Sequence, residues 1–195
     1  TTTDVDAGDT LSYSFSDARF EVVGGQLKLK SGIFLDYATA SSILVVVTAT
    51  DGGGLTFTQQ FTITVEAVPT DIAVSALAVA ENQNSSVVIG TVTTTDADSA
   101  SHTYTVSDAR FEVVGEELRL NAGNSLDHET IPGATISIDI TTSDSEGNSY
   151  VEAFVITVTD VNDAPTAISL SAATARENEA GVVIGTLTPP DQDAA

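Results

Sequence analysis

Apolar and polar residues alternate with a period of two along most of this chain. Ile136, Ile138 and Ile140 alternate with polar neighbours, as do Phe154, Ile156 and Val158, and Phe61, Ile63 and Val65 repeat that run earlier. Successive side chains of a strand point to opposite faces, so this pattern predicts half-buried β-strands. Tyr104, Val106, Phe111, Val113, Leu118 and Leu120 supply a facing apolar set. The longest apolar run, "ILVVV" at 43–47, reads as a buried strand and falls far short of the ~18 residues of a membrane span. Gly, Asn and Asp cluster between the runs as turn formers, with "DGGGL" at 51–55 a hairpin turn. About seven short strands in about 95 residues, with no helical period, predict an all-β chain built of seven-stranded Greek-key β-sandwiches.

The pattern repeats. "SDARFEVV" stands at 16–23 and again at 107–114, and "GGQLKLKSGIFLDYAT" matches "GEELRLNAGNSLDHET" in the same register. "FTITV" (61–65) matches "FVITV" (154–158), and "ISLSAATARENEAGVVIGTLTPPDQD" echoes "IAVSALAVAENQNSSVVIGTVTTTDAD". A period of about 93–96 residues implies tandem sandwiches in a linear array. The expected division is 1–69, a repeat without its first two strands; 70–163, a complete repeat; and 164–195, the first two strands of a further one. Each end then exposes unpaired backbone and half a core, and the two halves are complementary. Head-to-tail joining of copies is one expectation; an arbitrary cut through a long array is the other.

Composition narrows the function. Twenty-eight acidic residues face six basic ones, a net charge of −22, which excludes nucleic-acid binding through basic stripes. An apolar content of 42% is enough for packed cores. Without Cys there are neither disulfides nor Cys-based zinc sites, and without Met the chain reads as an internal piece of something longer. No nucleophile elbow, zinc-protease helix or phosphate-binding Gly loop occurs, and His102 and His128 lie far apart, so no enzyme is expected. "NSS" at 84–86 would accept a glycan only in a eukaryote.

The position of the acids says more than their number. In the second period they fall at its ends: Glu81 after the first strand, Asp127 and Glu129 in "LDHE", Asp160, Asn162 and Asp163 at the exit of the last strand, and Asp191 and Asp193 in "DQD" of the next period. Strand ends and loops of a sandwich can converge on one pole, where bare carboxylates would repel one another. A hard cation relieves this, and Ca²⁺ takes 6–8 oxygens from carboxylates, amides and carbonyls.

These segments resemble the calcium motifs of cadherin repeats, above all the cadherin-like repeats of bacterial surface and secreted adhesins. Glu81 matches the family's "xEx", Asp127 and Glu129 its "DRE"-like triplet, Asp160, Asn162 and Asp163 its "DxNDxxP"-like linker, and Asp191 and Asp193 its "DxD". Asp144 in "TSDSEG" and Asp51 in "TATDGGG" match "AxDxG". Ala164 stands where the linker motif has a second Asn. The resemblance spans essentially the whole chain. It implies Ca²⁺ ions that hold consecutive repeats rigid, an extracellular or cell-surface location, and adhesive work in a stalk or filament. Neighbouring repeats, other copies and surface glycans are the partners it suggests, and no direct membrane insertion. Further metal candidates are Asp4, Asp6, Asp36, Asp96, Asp98 and Glu177. The rival reading is a calcium-dependent polysaccharide-binding module, for which Tyr37 is the aromatic expected to be exposed.

The earlier joint differs. "EAVPTDIAV" is about three residues shorter than "TDVNDAPTAISL" and lacks the Asn-Asp pair, and Ala38 replaces the carboxylate of Glu129. An ion-poor, more compliant joint is expected at 66–72.

Overall fold

The structure, a computed structural model, describes residues 10–83, 86–178, 180–189 and 193. Asp4, Asp6, Asp191 and the Asn84 and Ser85 of the sequon lie outside the described residues. The chain divides into two units. One comprises Thr1–Thr70, Thr95–His102 and Asp144–Ser149; the other comprises Asp71–Thr94, Thr103–Ser143 and Tyr150–Ala195.

The alternating runs form strands, and the described residues contain no α-helix. In the second unit β6 (Asp71–Val74), β7 (Ala78–Ala80), β8 (Val88–Thr95), β9 (Thr103–Val106), β10 (Phe111–Val114), β11 (Glu117–Leu120), β12 (Thr135–Ser143) and β13 (Ser149–Thr159) build two sheets. Their orders are β10-β11-β8-β6 and β7-β13-β12-β9. Ile138, Ile140, Ile156 and Val158 from one sheet meet Ile72, Val92, Leu118 and Leu120 from the other, all at most 2% exposed. This is a β-sandwich core. Thr142 is fully buried within it, and its hydroxyl is satisfied by Thr94 Oγ1 at 3.0 Å, which also meets Tyr104 Oη at 2.9 Å.

The first strand of this sandwich changes sheets part-way. β6 lies against β8, whereas β7 runs parallel to β13. Gly90 causes the break: a Cβ there would meet the backbone O and N of Ala76 at 2.6 and 2.8 Å. Only glycine lets the Ala76 backbone come so close. Ser75 closes the corner, its N–H bonding the Thr91 carbonyl at 2.9 Å and its Oγ accepting from the Thr91 N–H at 2.8 Å.

In the first unit β1 (Ser12–Phe15), β4 (Ser42–Thr50) and β5 (Thr56–Thr64) form one sheet, and β2 (Phe20–Val23) pairs with β3 (Gln26–Leu29). The registers reproduce the second unit: Phe15 faces Val47 as Val106 faces Ile140, and Phe20 faces Leu29 as Phe111 faces Leu120. The "DGGGL" turn is as predicted, with Asp51 N–H bonded to the Leu55 carbonyl at 3.0 Å and Asp51 Oδ1 accepting from Leu55 N–H at 2.7 Å. The buried centre is smaller, formed by Phe20, Ile43, Val45 and Val65. Tyr37, expected to be exposed, packs half-buried against this cluster, whereas Phe34 and Phe57 are bare at 89% and 65% exposure.

The identical octamer has a structural reason. Asp17 and Asp108 each turn the chain by accepting the N–H of the residue two positions on, at 2.9 Å. Each also grips that residue's guanidinium through two nitrogens, Arg19 at 3.1 and 2.7 Å and Arg110 at 3.1 and 2.6 Å.

Candidate cation site

β7 sets the first ligand. Its parallel pairing of Ala80 with Thr159 carries Glu81 onto the chain leaving β13, where Glu81 N–H bonds the Thr159 carbonyl at 3.0 Å. The next residue, Asn82, donates its N–H to the Leu126 carbonyl at 3.1 Å and so draws in the β11–β12 loop that holds "LDHE". Glu81 is fully buried. Its two oxygens accept the N–H groups of His128 at 2.6 Å and Val161 at 2.8 Å, and these bonds hold its carboxyl below the usual range. A buried carboxylate without such donors would be driven toward its neutral form.

Around this anchor, donor atoms of Glu81, His128, Glu129 and Asp160 lie within 4.8 Å of one another, and so do those of Glu129, Asp163 and Asp193. Glu129 is common to both groups. The carboxylates repel: burial and the charges of Glu81, Asp193 and Asp127 push Asp163 above its ordinary value, against the 2.8 Å hydrogen bond from Asn82 Nδ2. His128 is pushed up too, but by attraction: its hydrogen bond to Glu129 foremost, then the charges of Glu129, Asp160 and Glu81. The donor set is oxygen-rich and over-negative, which suits a hard dication.

Of the predicted ligands, Glu81, Glu129, Asp160, Asp163 and Asp193 come together here. Asp127 sits beside them, its Oδ1 accepting Thr130 N–H at 3.2 Å and its charge reaching Asp163. Asn162 turns its amide to the Asp163 carbonyl at 3.0 Å. Glu177 is exposed and joins no cluster among the described residues. Sequence reasoning passed over two members. His128 stands inside "LDHE", between the two acids that carry the motif, and is not itself marked by it. Asn82 follows the marked Glu81 and steadies Asp163, for which no local signal exists.

The remaining candidates belong to the first unit and are engaged by protein donors. Asp36 accepts Ala38 N–H at 3.0 Å and the Thr39 hydroxyl at 2.6 Å, which lowers its carboxyl. Asp96 is shielded from solvent and accepts from His102 Nε2 at 3.2 Å. Asp144 is pulled up by burial, but the side-chain and backbone bonds from Asn148 outweigh it and leave the carboxyl lowered. Asp98 Oδ2 accepts Ala67 N–H at 2.8 Å, and Asn148 Nδ2 donates to the Ala67 carbonyl at 3.0 Å. Ala67 itself is 7% exposed. Both polar groups of the Ala67 backbone thus have side-chain partners in the strap that lost its acid–amide cluster.

No protein-family model matches the chain, and no curated protein matches it. Solved structures do. The chain is similar to protocadherin gamma B7 extracellular cadherin domains 1–4 (TM-score 0.51, 20% identity, 95% of this chain and 51% of that one). It is similar to protocadherin gamma B2 extracellular cadherin domains 1–5 (0.51, 20%, 99% and 42%) and to domains 3–6 of the same protein (0.50, 22%, 95% and 49%). The chain spans about half the length of these structures. The fold is therefore a cadherin-like β-sandwich fold.

Proposed function

We propose that this chain is a calcium-binding structural module of an extracellular adhesive stalk or filament, in repeats bounded at 1–69, 70–163 and 164–195. Ca²⁺ held by Glu81, Glu129, Asp160, Asp163 and Asp193 stiffens the passage from the second repeat into the third. One observation carries the reading: carboxylates from four chain segments far apart in sequence gather into two groups that share Glu129, the candidate ligand atoms of each group lying within 4.8 Å of one another, beside a buried Glu81 whose charge is kept by two main-chain N–H groups. An acidic surface serving only solubility spreads its charges, since clustering costs free energy. The solved structures of similar fold are cadherin extracellular domains, which supports an outside location and an adhesive role for this chain.

Extracellular Ca²⁺ modules bind at roughly 10⁻⁴–10⁻³ M, so such a stalk would be stiff outside a cell and slack where calcium is scarce. A ligand at about 100 times its Kd stabilises the bound state by about 2.7 kcal/mol per site. The test is Asp163→Asn, because the two readings give it opposite signs. Removing a repelled carboxylate is expected to raise the melting temperature in EDTA, and to weaken calcium affinity by about ten-fold or more in titration calorimetry. Wild-type heats indistinguishable from buffer in millimolar calcium would refute the calcium reading. With calcium bound, X-ray scattering is expected to give a narrower distance distribution than in EDTA. The polysaccharide-binding alternative is separated by a glycan array run with calcium present.

A further inference from the structure

Ala67 occupies, on the shorter strap, the position that Asp163 holds on the longer one. The two segments align through their prolines, "AVPT" at 67–70 with "DAPT" at 163–166, and the residues missing from the shorter strap then fall at 160–162. The main chain agrees with this alignment. Ala67 N–H donates to Asp98 Oδ2 and Asp163 N–H to Asp193 Oδ2, each acceptor being the second acid of its "DxD". One backbone bond is thus made at both places, but the residue that makes it carries a carboxylate at 163 and a methyl group at 67.

The partners of Ala67 all lie in the first unit, which takes in Thr95–His102 and Asp144–Ser149 together with Thr1–Thr70. Asn148 reaches the strap from one of these loops. Its Nδ2 donates to the Ala67 carbonyl at 3.0 Å and to Asp144 Oδ2 at 2.9 Å, so one amide proton goes to a carbonyl and the other to a carboxylate. Asp144 fixes Asn148 a second time, its Oδ1 accepting the Asn148 N–H at 2.8 Å. From the other loop, Asp98 accepts Ala67 N–H at 2.8 Å and the Thr95 carbonyl accepts Thr70 N–H at 2.9 Å. At 7% exposure the Ala67 backbone is withdrawn from water, and both of its polar groups need the partners they have.

The charges of these loops are met in the same way. Asp96 accepts from His102, Asp98 from the Ala67 N–H and Asp144 from Asn148, so each carboxylate has a nitrogen donor. On the strap itself Ala67 brings no carboxylate, and Ala38 stands where the later repeat has Glu129. Fewer acids, each with a donor, leave little repulsion for a dication to relieve.

We propose that Asp98 and Asn148 form a metal-free clasp on the backbone of Ala67, and that this clasp keeps residues 65–70 ordered with no divalent cation bound. Asp98 takes the N–H, Asn148 takes the carbonyl, and Asp144 sets the Asn148 amide so that one proton faces the strap. The passage is then ion-poor, as its sequence suggests, but fixed rather than compliant. Asp98 and Asp144, which the sequence marks as metal candidates, act here as hydrogen-bond acceptors. No cation takes part, so the inference stands whether or not the Glu81 pole binds calcium.

Amide hydrogen exchange of the 195-residue protein, followed by NMR in EDTA and in millimolar calcium, tests this. Ala67 and Thr70 are expected to be protected in EDTA, at rates that calcium changes by less than about two-fold. Asn148→Ala is expected to speed exchange at both positions by about ten-fold in either buffer. Asp98→Ala acts from the other loop and leaves the 144–149 turn untouched. It should give a similar acceleration, so that damage to one turn cannot account for both results. The N–H groups of Ser16 and Ser107, bonded to the Val46 and Asp139 carbonyls, should exchange as in wild type and serve as folding controls for the two units. Exchange at Ala67 as fast in EDTA as in an unstructured peptide would overturn the proposal. So would protection that appears only on adding calcium, or wild-type rates at Ala67 in either variant.

Discussion

Asp108 and Arg110 show how a single pair of residues sets a turn. Asp108 accepts both the backbone N–H and the guanidinium of Arg110, and these bonds, the side-chain ones foremost, hold its carboxyl below its ordinary value while that of Arg110 rises. A carboxyl with a depressed folded pKa contributes stability that is fully present above its unfolded value and is lost as pH falls through the folded one. The expectation for Asp108→Asn is therefore a loss of about 1 kcal/mol near neutral pH, with solvent screening keeping it at the low end. The gap between wild type and variant should close below the usual aspartate range of about 4, as the wild-type carboxyl protonates. Urea melts at a series of pH values read both ends of that curve. A gap that stayed constant with pH would mean the turn needs only the shape of the side chain. The same geometry at Asp17 and Arg19 gives the first unit the same turn.

At the scale of elements, Gly90 decides where one strand leaves its sheet. Gly90→Ala is expected to destabilise the second unit by about 1–3 kcal/mol, because the new methyl group meets main-chain atoms that cannot rotate away. Gly185→Ala should leave that unfolding transition alone, and instead loosen the antiparallel pairing of Ser169–Leu170 with Leu187–Thr188, read as faster amide exchange at Ser171 and Thr186. Equal effects of the two substitutions on the main transition would contradict this division. The break between β6 and β7 leaves a trace in the sequence, since the large apolar residues of "DIAVSALAVA" shift phase from Ile72 and Val74 to Leu77 and Val79. The close approach at Gly90 leaves none, because Gly90 lies fourteen residues beyond Ala76 and acts only across the sheet. By contrast, β12 and β13 could be read from alternation alone, because each of them has one face on a core and one in water; β4 was marked by its apolar run, and β5 alternates in sequence although only its Ile63 is half-buried. The acidic pole was legible for a similar reason, since charge at strand ends marks the sequence locally. What stayed hidden was the second half of each interaction. The N–H groups of His128 and Val161 that make a buried Glu81 tenable carry no side-chain signal, and Tyr37 was misjudged because the burial of a loop aromatic depends on what folds over it.

At the scale of the whole molecule, a net charge of −22 acts on every property at once, and it has to be separated from the site. Screening lengths run from about 30 Å at 0.01 M salt to about 3 Å at 1 M, so sodium chloride alone will relieve repulsion within a chain and between copies. Calcium bound as proposed at the Glu81 pole would behave differently, because the candidate ligands form two tight groups that share Glu129 and are partly shielded from solvent. In about 0.5 M sodium chloride, where general screening is already near its limit, added calcium is still expected to raise the melting temperature, and magnesium much less, since it demands tighter octahedral geometry and gives up water reluctantly. Differential scanning calorimetry with sodium, magnesium and calcium at matched ionic strength makes the comparison. If the three salts gave the same curve, the clustered carboxylates would be acting only as part of the molecule's overall charge.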